Sequence, residues 1–293
     1  RNFNGTGDIV LPSGTALTAS GTGTAVTLAS ARNFLNSAGA GALSTPSGRW
    51  LVYSAAPGSD TLGGLTAGFR RFSCTFGGSC PSFPGAGNGF LYSSTPVLTA
   101  TPNAISLTYG DAAPGLAGYG YTLSGYQGGD AADDAVTGSL TGATPYTQGS
   151  NVGTYAVTYA SGSLASALGY GFTYADNASA ITVSPRTLTA GLTGTVSRTY
   201  DGTTAATLAA GNYTLSGIFG SDAVSLNNPS AGTYDTKDVG SGKTVAVSGL
   251  SLTGAAAGNY QLASGSASGA VGSITARTLT ISGVTAGNKV YDG

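Results

Sequence analysis

The residues that could do chemistry in this sequence are few, and the densest group is acidic. Asp130, Asp133 and Asp134 fall within the Gly-rich stretch 128–134. Such carboxylates could hold Ca²⁺ through oxygen ligands, or they could act as the carboxylate pair of a glycoside hydrolase. The spacing matches neither the EF-hand loop nor the Gly-Gly-x-Gly-x-Asp repeat, and it occurs once. We therefore interpret the cluster as a solvated turn, with Ca²⁺ binding as the alternative.

The two cysteines form the other candidate site. Cys74 and Cys80 enclose the short sequence Thr-Phe-Gly-Gly-Ser, which is flexible enough to close a small ring. We predict a disulfide that pins a local loop in an oxidising compartment, with a pair of free thiols as the alternative. A metal site is disfavoured because only two cysteine ligands are present.

The composition excludes most catalytic chemistry. The chain has no His and no Met, and its 12 acidic residues are all Asp. Without His or Glu, Ser/His/Asp catalysis, Cys/His catalysis and His-bearing metal sites are excluded, so we expect neither an enzyme nor a bound cofactor. The balance of 11 basic against 12 acidic residues argues against nucleic acid as a partner.

An internal repeat organises the elements that carry these residues. Tyr109, Tyr200 and Tyr291 occur at intervals of 91 residues, in the motifs Leu-Thr-Tyr-Gly-Asp, Arg-Thr-Tyr-Asp-Gly and Lys-Val-Tyr-Asp-Gly. Three further words recur in the same order: Tyr121–Gly125 with Tyr213–Gly217, Asp134–Val136 with Asp222–Val224, and Gly153–Tyr155 with Gly232–Tyr234. We predict that residues 96–184 and 185–275 are copies of one small domain and that 276–293 opens another.

We expect Tyr109 and Tyr200 to occupy equivalent, largely buried positions with hydrogen-bonded hydroxyl groups, because a buried Tyr usually finds a partner. The class of the repeats is predicted to be all-β. The 49 Gly residues suit tight turns, and only 8% of residues are charged. In 153–159 and 243–248, apolar and small polar residues alternate as in half-buried strands.

The first 95 residues have a different pattern. In residues 1–46, short apolar runs return about every eight or nine residues, which fits the rungs of a right-handed parallel β-helix; a β-sandwich fragment is the alternative. Residues 47–95 hold the only Trp, many of the Phe residues and the Cys74/Cys80 loop. A solenoid needs its last rung covered. We interpret 47–95 as an aromatic cap, with an aromatic ligand-binding patch as the alternative.

Several of these motifs resemble a known family. Asn33-Phe34, Gly48–Ser54 and Gly63–Leu65 are similar to the C-terminal part of the β-helix in filamentous-haemagglutinin-like adhesins that are exported by two-partner secretion. The stretches around Tyr109, Leu123–Asp130 and Gly169–Tyr174 resemble the MBG modules of those proteins, and those around Tyr200 and Tyr291 resemble their YDG repeats. The resemblance implies an architecture and brings no catalytic residues with it.

The resemblance implies a β-helix end followed by tandem, β-grasp-like modules in the stalk of a large secreted adhesin on the surface of a Gram-negative bacterium. An outer-membrane two-partner-secretion transporter would then be a partner, together with an unknown surface or glycan target. A self-assembling subunit of an extracellular filament or sheath, binding copies of itself, is the first alternative. A carbohydrate-binding or hydrolytic module is the second. Because Arg1 opens in mid-pattern, we also expect both ends to be cut from a longer polypeptide.

Overall fold

The computed structural model describes residues 2–293, and they are built almost entirely from short strands. Among them are 28 strands, one α-helix of a single turn, α1 (Leu116–Tyr119), and four 3₁₀ turns. The prediction of an all-β protein is therefore confirmed. No helix in the described part of the chain has the length and apolar character needed to cross a membrane.

The strands of the N-terminal region are β1 (Asn2–Gly5), β2 (Ile9–Leu11), β3 (Leu17–Thr18), β4 (Gly23–Ser30), β5 (Phe34–Asn36), β6 (Leu43–Ser44), β7 (Gly48–Ser54), β8 (Phe69–Arg71) and β9 (Gly89–Tyr92). In the first repeat, here called module 1, they are β10 (Val97–Pro102), β11 (Ile105–Thr108), β12 (Tyr121–Ser124), β13 (Val136–Thr137), β14 (Leu140–Ala143), β15 (Gly153–Gly162), β16 (Ala165–Ser166), β17 (Gly171–Tyr174) and β18 (Asn177–Ser184). In the second repeat, module 2, they are β19 (Arg186–Leu192), β20 (Val196–Thr199), β21 (Ala205–Thr207), β22 (Tyr213–Ser216), β23 (Ser225–Leu226), β24 (Ala231–Tyr234), β25 (Gly240–Ser248), β26 (Leu252–Thr253), β27 (Tyr260–Leu262) and β28 (Ser266–Thr275).

The chain forms two compact units whose limits differ from those of the repeats. The first unit runs through Ile105 and includes 113–146 and 154–181. The second contains 182–293 and also two short segments of module 1, residues 106–112 and 147–153. Each unit is described by itself below, and the sequence-based boundaries at 46, 95, 184 and 275 remain predictions.

In the first unit, the N-terminal strands stack in parallel. β4 pairs with β1 and β7, β2 pairs with β5, and β3 pairs with β6, all parallel. Asn2 lies opposite Thr27 and Ile9 opposite Phe34, so the stack repeats after about 25 residues rather than eight or nine. One repeat of the stack therefore contains three successive apolar runs, and the strand of each run pairs with the strand about 25 residues further along the chain. That these stacked strands form a right-handed parallel β-helix remains a prediction.

The aromatic residues of the predicted cap lie in the core of the first unit. Trp50, Phe72, Phe90 and Tyr92 are buried together with Leu98 and Tyr170 of module 1. The Trp50 and Phe90 rings meet edge to face at 5.1 Å between centroids. The predicted cap also extends the stack, because β7, β8 and β9 pair in parallel within the same sheet as β1 and β4. The aromatic side chains of this region pack against module 1, and apolar burial holds it together.

Each module contains a three-stranded sheet with the same strand pairings in the same register. β10 runs antiparallel to β12 and parallel to β17, and β19 pairs in the same way with β22 and β27. Thr99 faces Ser124 just as Thr189 faces Ser216, and Leu98 faces Phe172 just as Leu188 faces Leu262. In this sheet the sequence repeat is also a repeat of structure. The words Gly153–Tyr155 and Gly232–Tyr234 lie on strands with different neighbours, β15 and β24, and the extent of the two domains remains a prediction. The likeness to a β-grasp fold stays a prediction.

Module 2 also contains a five-stranded sheet in the order β20-β28-β25-β24-β21. One face of the sheet buries Val196, Tyr234, Val245 and Ile274. The predicted alternation is confirmed in β25, where Val245 and Val247 are buried.

Residues 276–293 contain no strand or helix. Residues 277–281, whose Arg-Thr-Leu-Thr sequence repeats the start of β19, therefore form no strand in the single chain, and Leu279 and Ile281 are 85% and 83% exposed. A strand needs a neighbour to satisfy its backbone groups, and this segment pairs with no other strand among residues 2–293.

Candidate module-joining site

Module 1 contains a buried pair formed by Asp130 and Tyr170. Asp130 opens the 3₁₀ turn Asp130–Ala132, and Tyr170 directly precedes β17. The Tyr170 hydroxyl donates to Asp130 Oδ2 at 2.6 Å and accepts a hydrogen bond from the Gln127 backbone N–H at 2.9 Å. Burial, together with the hydrogen bond to Asp130, raises the pKa of Tyr170 well above its ordinary value. The phenol is therefore held in its neutral, donating form.

The predicted cap provides the residues that bind this pair. Arg70, in β8, donates from its guanidinium to Asp130 Oδ1 and to the Gln127 carbonyl. The Phe72 ring packs edge to face on Tyr170, with 4.7 Å between centroids. The Phe72 N–H donates to the Leu168 carbonyl at 2.7 Å. The negative charge of Asp130, which is only 4% exposed, is thus neutralised by an arginine from the preceding part of the chain.

Module 2 contains the same pair, formed by Asp222 and Tyr260. The Tyr260 hydroxyl donates to Asp222 Oδ2 at 2.5 Å and accepts from the Phe219 N–H at 3.1 Å. Gln127 precedes Asp130 by three residues, as Phe219 precedes Asp222. The Asp130 carboxylate therefore makes the bonds that the Asp222 carboxylate makes in module 2. The words Asp134–Val136 and Asp222–Val224 still correspond in the backbone, because the Ala135 and Ala223 carbonyls accept from the N–H groups of Ala167 and Ala256. We call Asp130 with Tyr170, and Asp222 with Tyr260, the Asp–Tyr pairs.

The pair in module 2 is bound by Tyr109, which belongs to module 1 in sequence and to the second unit in space. The Tyr109 hydroxyl donates to Asp222 Oδ2 at 2.8 Å. Its ring meets those of Tyr260 and Phe219 edge to face, at 5.2 and 5.9 Å. Tyr109 is 4% exposed, and burial together with the hydrogen bond to Asp222 raises its pKa to about 12. One carboxylate oxygen thus accepts two tyrosine hydroxyls.

The residues after Tyr109 explain the Tyr-Gly-Asp motif. Gly110 has φ +90°, and a Cβ atom there would lie 2.7 Å from the Phe219 ring, so only glycine fits. Asp111 Oδ2 accepts the Thr108 N–H at 2.8 Å and closes the turn. The Gln148 side-chain amide donates to the Gly110 carbonyl at 2.9 Å. The motif therefore shapes a turn that presents Tyr109.

Residues 147–153, which belong to module 1 in sequence and to the second unit in space, are also bonded to module 2. Asn259 Oδ1 accepts the Val152 N–H at 2.9 Å, and its amide donates to Asn151 Oδ1 at 2.9 Å. Asn259 is buried and directly precedes Tyr260. Both short segments of module 1 thus contact the region of the Asp222–Tyr260 pair through polar side chains.

Tyr200 has the backbone position of Tyr109 but not its partner. The Tyr109 N–H donates to the Ser184 carbonyl at 2.9 Å and the Tyr200 N–H to the Thr275 carbonyl at 2.8 Å, and each acceptor lies 75 residues further on (184 − 109 and 275 − 200). The Tyr200 side chain is half-buried against the core of module 2. No residue among 2–293 forms a hydrogen bond with its hydroxyl, so the bond expected for Tyr200 stays a prediction. Tyr291 is 92% exposed.

The three carboxylates of the acidic cluster separate in the structure. Asp130 faces Arg70 and Tyr170, Asp134 accepts from Ser166 Oγ at 2.8 Å, and Asp133 is exposed. The described residues contain no group of three potential metal ligands. The interpretation as a solvated turn is wrong for Asp130, because its charge is buried and paired.

The cysteines lie beside the residues that bind the first pair. Cys74 and Cys80 are joined by a disulfide, and Cys74 is buried against Leu51 and Leu91. The Cys74 N–H donates to the Tyr92 carbonyl at 2.8 Å. The bridge therefore closes a short loop that begins two residues after Phe72.

Sequence reasoning missed four residues of these sites: Arg70, Tyr170, Asp222 and Tyr260. Two signals were available: Tyr170 and Tyr260 lie at the starts of matching strands, and the basic pair Arg70-Arg71 next to an aromatic cluster is unusual in a chain with 8% charged residues. Neither signal identifies a partner. The two residues of each pair are 40 and 38 positions apart in the sequence, and only the fold brings them together.

Two domain models match the chain. Residues 98–179 match the MBG domain of the YGX type, and residues 184–267 match the YDG domain. No curated protein and no solved structure shows significant similarity to the chain. The two matches indicate an extracellular or surface repeat protein, and they cover adjacent stretches of the two repeats.

Proposed function

We propose that this chain is a structural stalk segment of a large secreted adhesin on the bacterial cell surface. The observation that carries the proposal is the recurrence of the Asp–Tyr pair. Asp130 and Asp222 each accept a hydrogen bond from their own tyrosine and a second one from a residue that lies before their module in sequence. The pairs thus serve as joints, and a stalk needs such joints.

The physical function of a joint is to resist separation. Pulling Arg70 away would leave the buried carboxylate of Asp130 without its counter-charge, which costs about 3–5 kcal/mol. Pulling Tyr109 away would expose its ring and break its bond to Asp222. Successive modules joined in this way would transmit force to whatever lies at the tip.

Other features of the chain agree with this role. A local disulfide suits an oxidising, extracytoplasmic compartment. The carboxylates of both Asp–Tyr pairs are engaged by hydrogen-bond donors, so neither is free to act as an acid or base; we propose that the protein is not an enzyme. On this proposal, a two-partner-secretion transporter in the outer membrane of a Gram-negative cell exports the chain.

Electron microscopy of negatively stained protein tests the stalk. We expect single, extended particles of uniform length, and a broad range of bends at the module boundary in Tyr109→Ala. Wild-type particles that bend as freely as the variant would contradict the proposal. A functional test displays the full adhesin on cells, carrying either Tyr109→Ala or the control Arg32→Met, whose side chain is 67% exposed and lies outside both Asp–Tyr pairs. We expect weaker adhesion under flow only with the first.

A self-assembling filament subunit is the second candidate, and exposed apolar side chains favour it. Leu279, Ile281, Val284 and Val290 are each at least 80% exposed, and such residues commonly mark an interaction surface. The same micrographs separate the two candidates, because a filament subunit would form helical polymers that lengthen with protein concentration.

A further inference from the structure

Tyr200 occupies the same place in module 2 as Tyr109 in module 1, but the environments of the two hydroxyls differ. Tyr109 donates to Asp222, whereas the Tyr200 hydroxyl has no partner among residues 2–293. We propose that the face around Tyr200 binds the Asp–Tyr pair of a further module of the same fold, in the way that Tyr109 binds Asp222 and Tyr260. The inference rests on the stalk function proposed above and adds a partner and an atomic contact to it.

The surroundings of Tyr200 support this docking. Tyr200 borders an open cavity of about 740 Å³, which is also lined by Asp201, Val239 and residues 276–280. Val239 is 54% exposed there. Polar and apolar groups thus lie side by side without a cover, as a joint built from a hydroxyl and an aromatic ring requires.

Arg277 is the second component of this face. It follows Tyr200 by 77 residues, as Arg186 follows Tyr109 (277 − 200 and 186 − 109), and both precede Thr-Leu-Thr. Arg186 donates to the Gly217 carbonyl of module 2 at 2.8 Å and also reaches the Tyr109 carbonyl, at 3.5 Å. Arg277 lines the cavity beside Tyr200 and would form the corresponding two bonds once a module is present.

The exposure of Leu279 supports a module of the same fold as the partner of this face. The residue 91 positions earlier is Leu188, which is fully buried in β19 at 0% exposure, whereas Leu279 is 85% exposed. Residues 276–293 repeat the pattern of 185–202 but lack the strands that cover Leu188. A further module would therefore bury Leu279 and place its own Asp–Tyr pair near Tyr200.

A second copy of this chain does not fit as the occupant. Its Asp130–Tyr170 pair is already bound by Arg70 and its Asp222–Tyr260 pair by Tyr109. A docking module must offer an Asp–Tyr pair whose carboxylate is still open to a tyrosine. The first two strands of such a module have their counterpart in residues 276–293.

The experiment extends the full chain after Gly293 with a copy of residues 203–275, which completes a module begun by 276–293. Both chains are treated with tetranitromethane, and nitration of each tyrosine is followed by peptide mass spectrometry. We expect Tyr200 to react at least tenfold more slowly in the extended chain than in the original one. Tyr109 should be protected in both chains and Tyr291 reactive in both. The copied Tyr234, buried in module 2, reports whether the added module has folded.

Tyr200→Phe provides a second readout. We expect it to leave the melting temperature of the original chain unchanged and to lower that of the added module in the extended chain. Equal nitration of Tyr200 in both chains would overturn the proposal, and so would an added module that stays unfolded. If Tyr200 is protected from nitration but the particles in the micrographs still bend freely, the docking proposal is supported and the stalk function is contradicted. If the particles are straight but Tyr200 reacts equally in both chains, the stalk function is supported and the docking proposal is contradicted.

Discussion

The hydroxyl of Tyr109 donates to the carboxylate of Asp222 at 2.8 Å, across 113 residues of chain and from one repeat to the next. Tyr260 donates to the same oxygen. A carboxylate that accepts two phenol groups is a strong acceptor in a partly dry environment. This contact leads to the first two predictions.

Tyr109→Phe should destabilise module 2 by about 1.5–3 kcal/mol, because it removes one hydrogen bond to a charged acceptor and keeps the ring. The change is measured by urea unfolding, followed by far-ultraviolet circular dichroism. Tyr200→Phe is the matched control and should be neutral, since its hydroxyl has no partner among residues 2–293. Equal effects of the two substitutions would show that the Asp222 contact contributes nothing.

Alkaline stability should depend on the same hydroxyl. The pKa of Tyr109 is raised to about 12 in the folded chain, from an ordinary value near 10. A group whose pKa is raised by folding stabilises the protein fully below the unfolded pKa, and this contribution is lost as pH rises through the folded pKa. We expect stability to fall between about pH 10 and 12 and to fall less steeply in Tyr109→Phe. Parallel pH profiles of the two proteins would contradict the assignment.

Arg70→Met should destabilise the first unit by about 3–5 kcal/mol, because it leaves Asp130 buried without its counter-charge. The double variant Arg70→Met/Asp130→Asn should recover much of the loss. Arg32→Met is the control: Arg32 is 67% exposed and lies 3.7 Å from Asp8, so we expect a change of about 0–1 kcal/mol. Thermal unfolding of the four proteins measures this. A double variant as unstable as Arg70→Met would mean that lost packing, not charge, is responsible.

Gly110→Ala and Gly202→Ala separate steric contact from backbone strain. Both glycines have positive φ, +90° and +82°, which costs an alanine about 1–2 kcal/mol. Only at Gly110 would the new Cβ meet another group, the Phe219 ring at 2.7 Å. We expect Gly110→Ala to cost about 1–3 kcal/mol more than Gly202→Ala in urea unfolding. Equal costs would show that the Phe219 ring moves aside freely.

Reduction of the Cys74–Cys80 bridge should cost about 2 kcal/mol, as expected for closing a very short loop. Mass spectrometry of non-reduced peptides first establishes the bridge. Two free thiols in protein from an oxidising compartment would remove this support for the proposed location. The double variant Cys74→Ser/Cys80→Ser should match the reduced protein in thermal unfolding.

The sequence by itself determined the class of the fold and its repetition. Abundant Gly, alternating strands and tyrosines 91 residues apart are local or periodic features, and local geometry is sufficient to interpret them. The burial of Val245 and Val247 follows from their alternation alone. The partner of each cysteine could also be predicted from the sequence, because the chain has two cysteines and they allow one pairing.

Only the tertiary structure decided which groups meet. Asp134 matches Asp222 by its neighbours Ala and Val, yet Asp130 has the equivalent bonds, because the 3₁₀ turn at Asp130–Ala132 shifts the carboxylate that reaches the tyrosine. Tyr109 and Tyr200 have equivalent sequences and backbone positions but different surroundings, since module 2 follows the first and residues 276–293 follow the second. A hydrogen bond depends on what lies within about 3 Å in space, and a sequence motif carries no information about a partner that another module supplies.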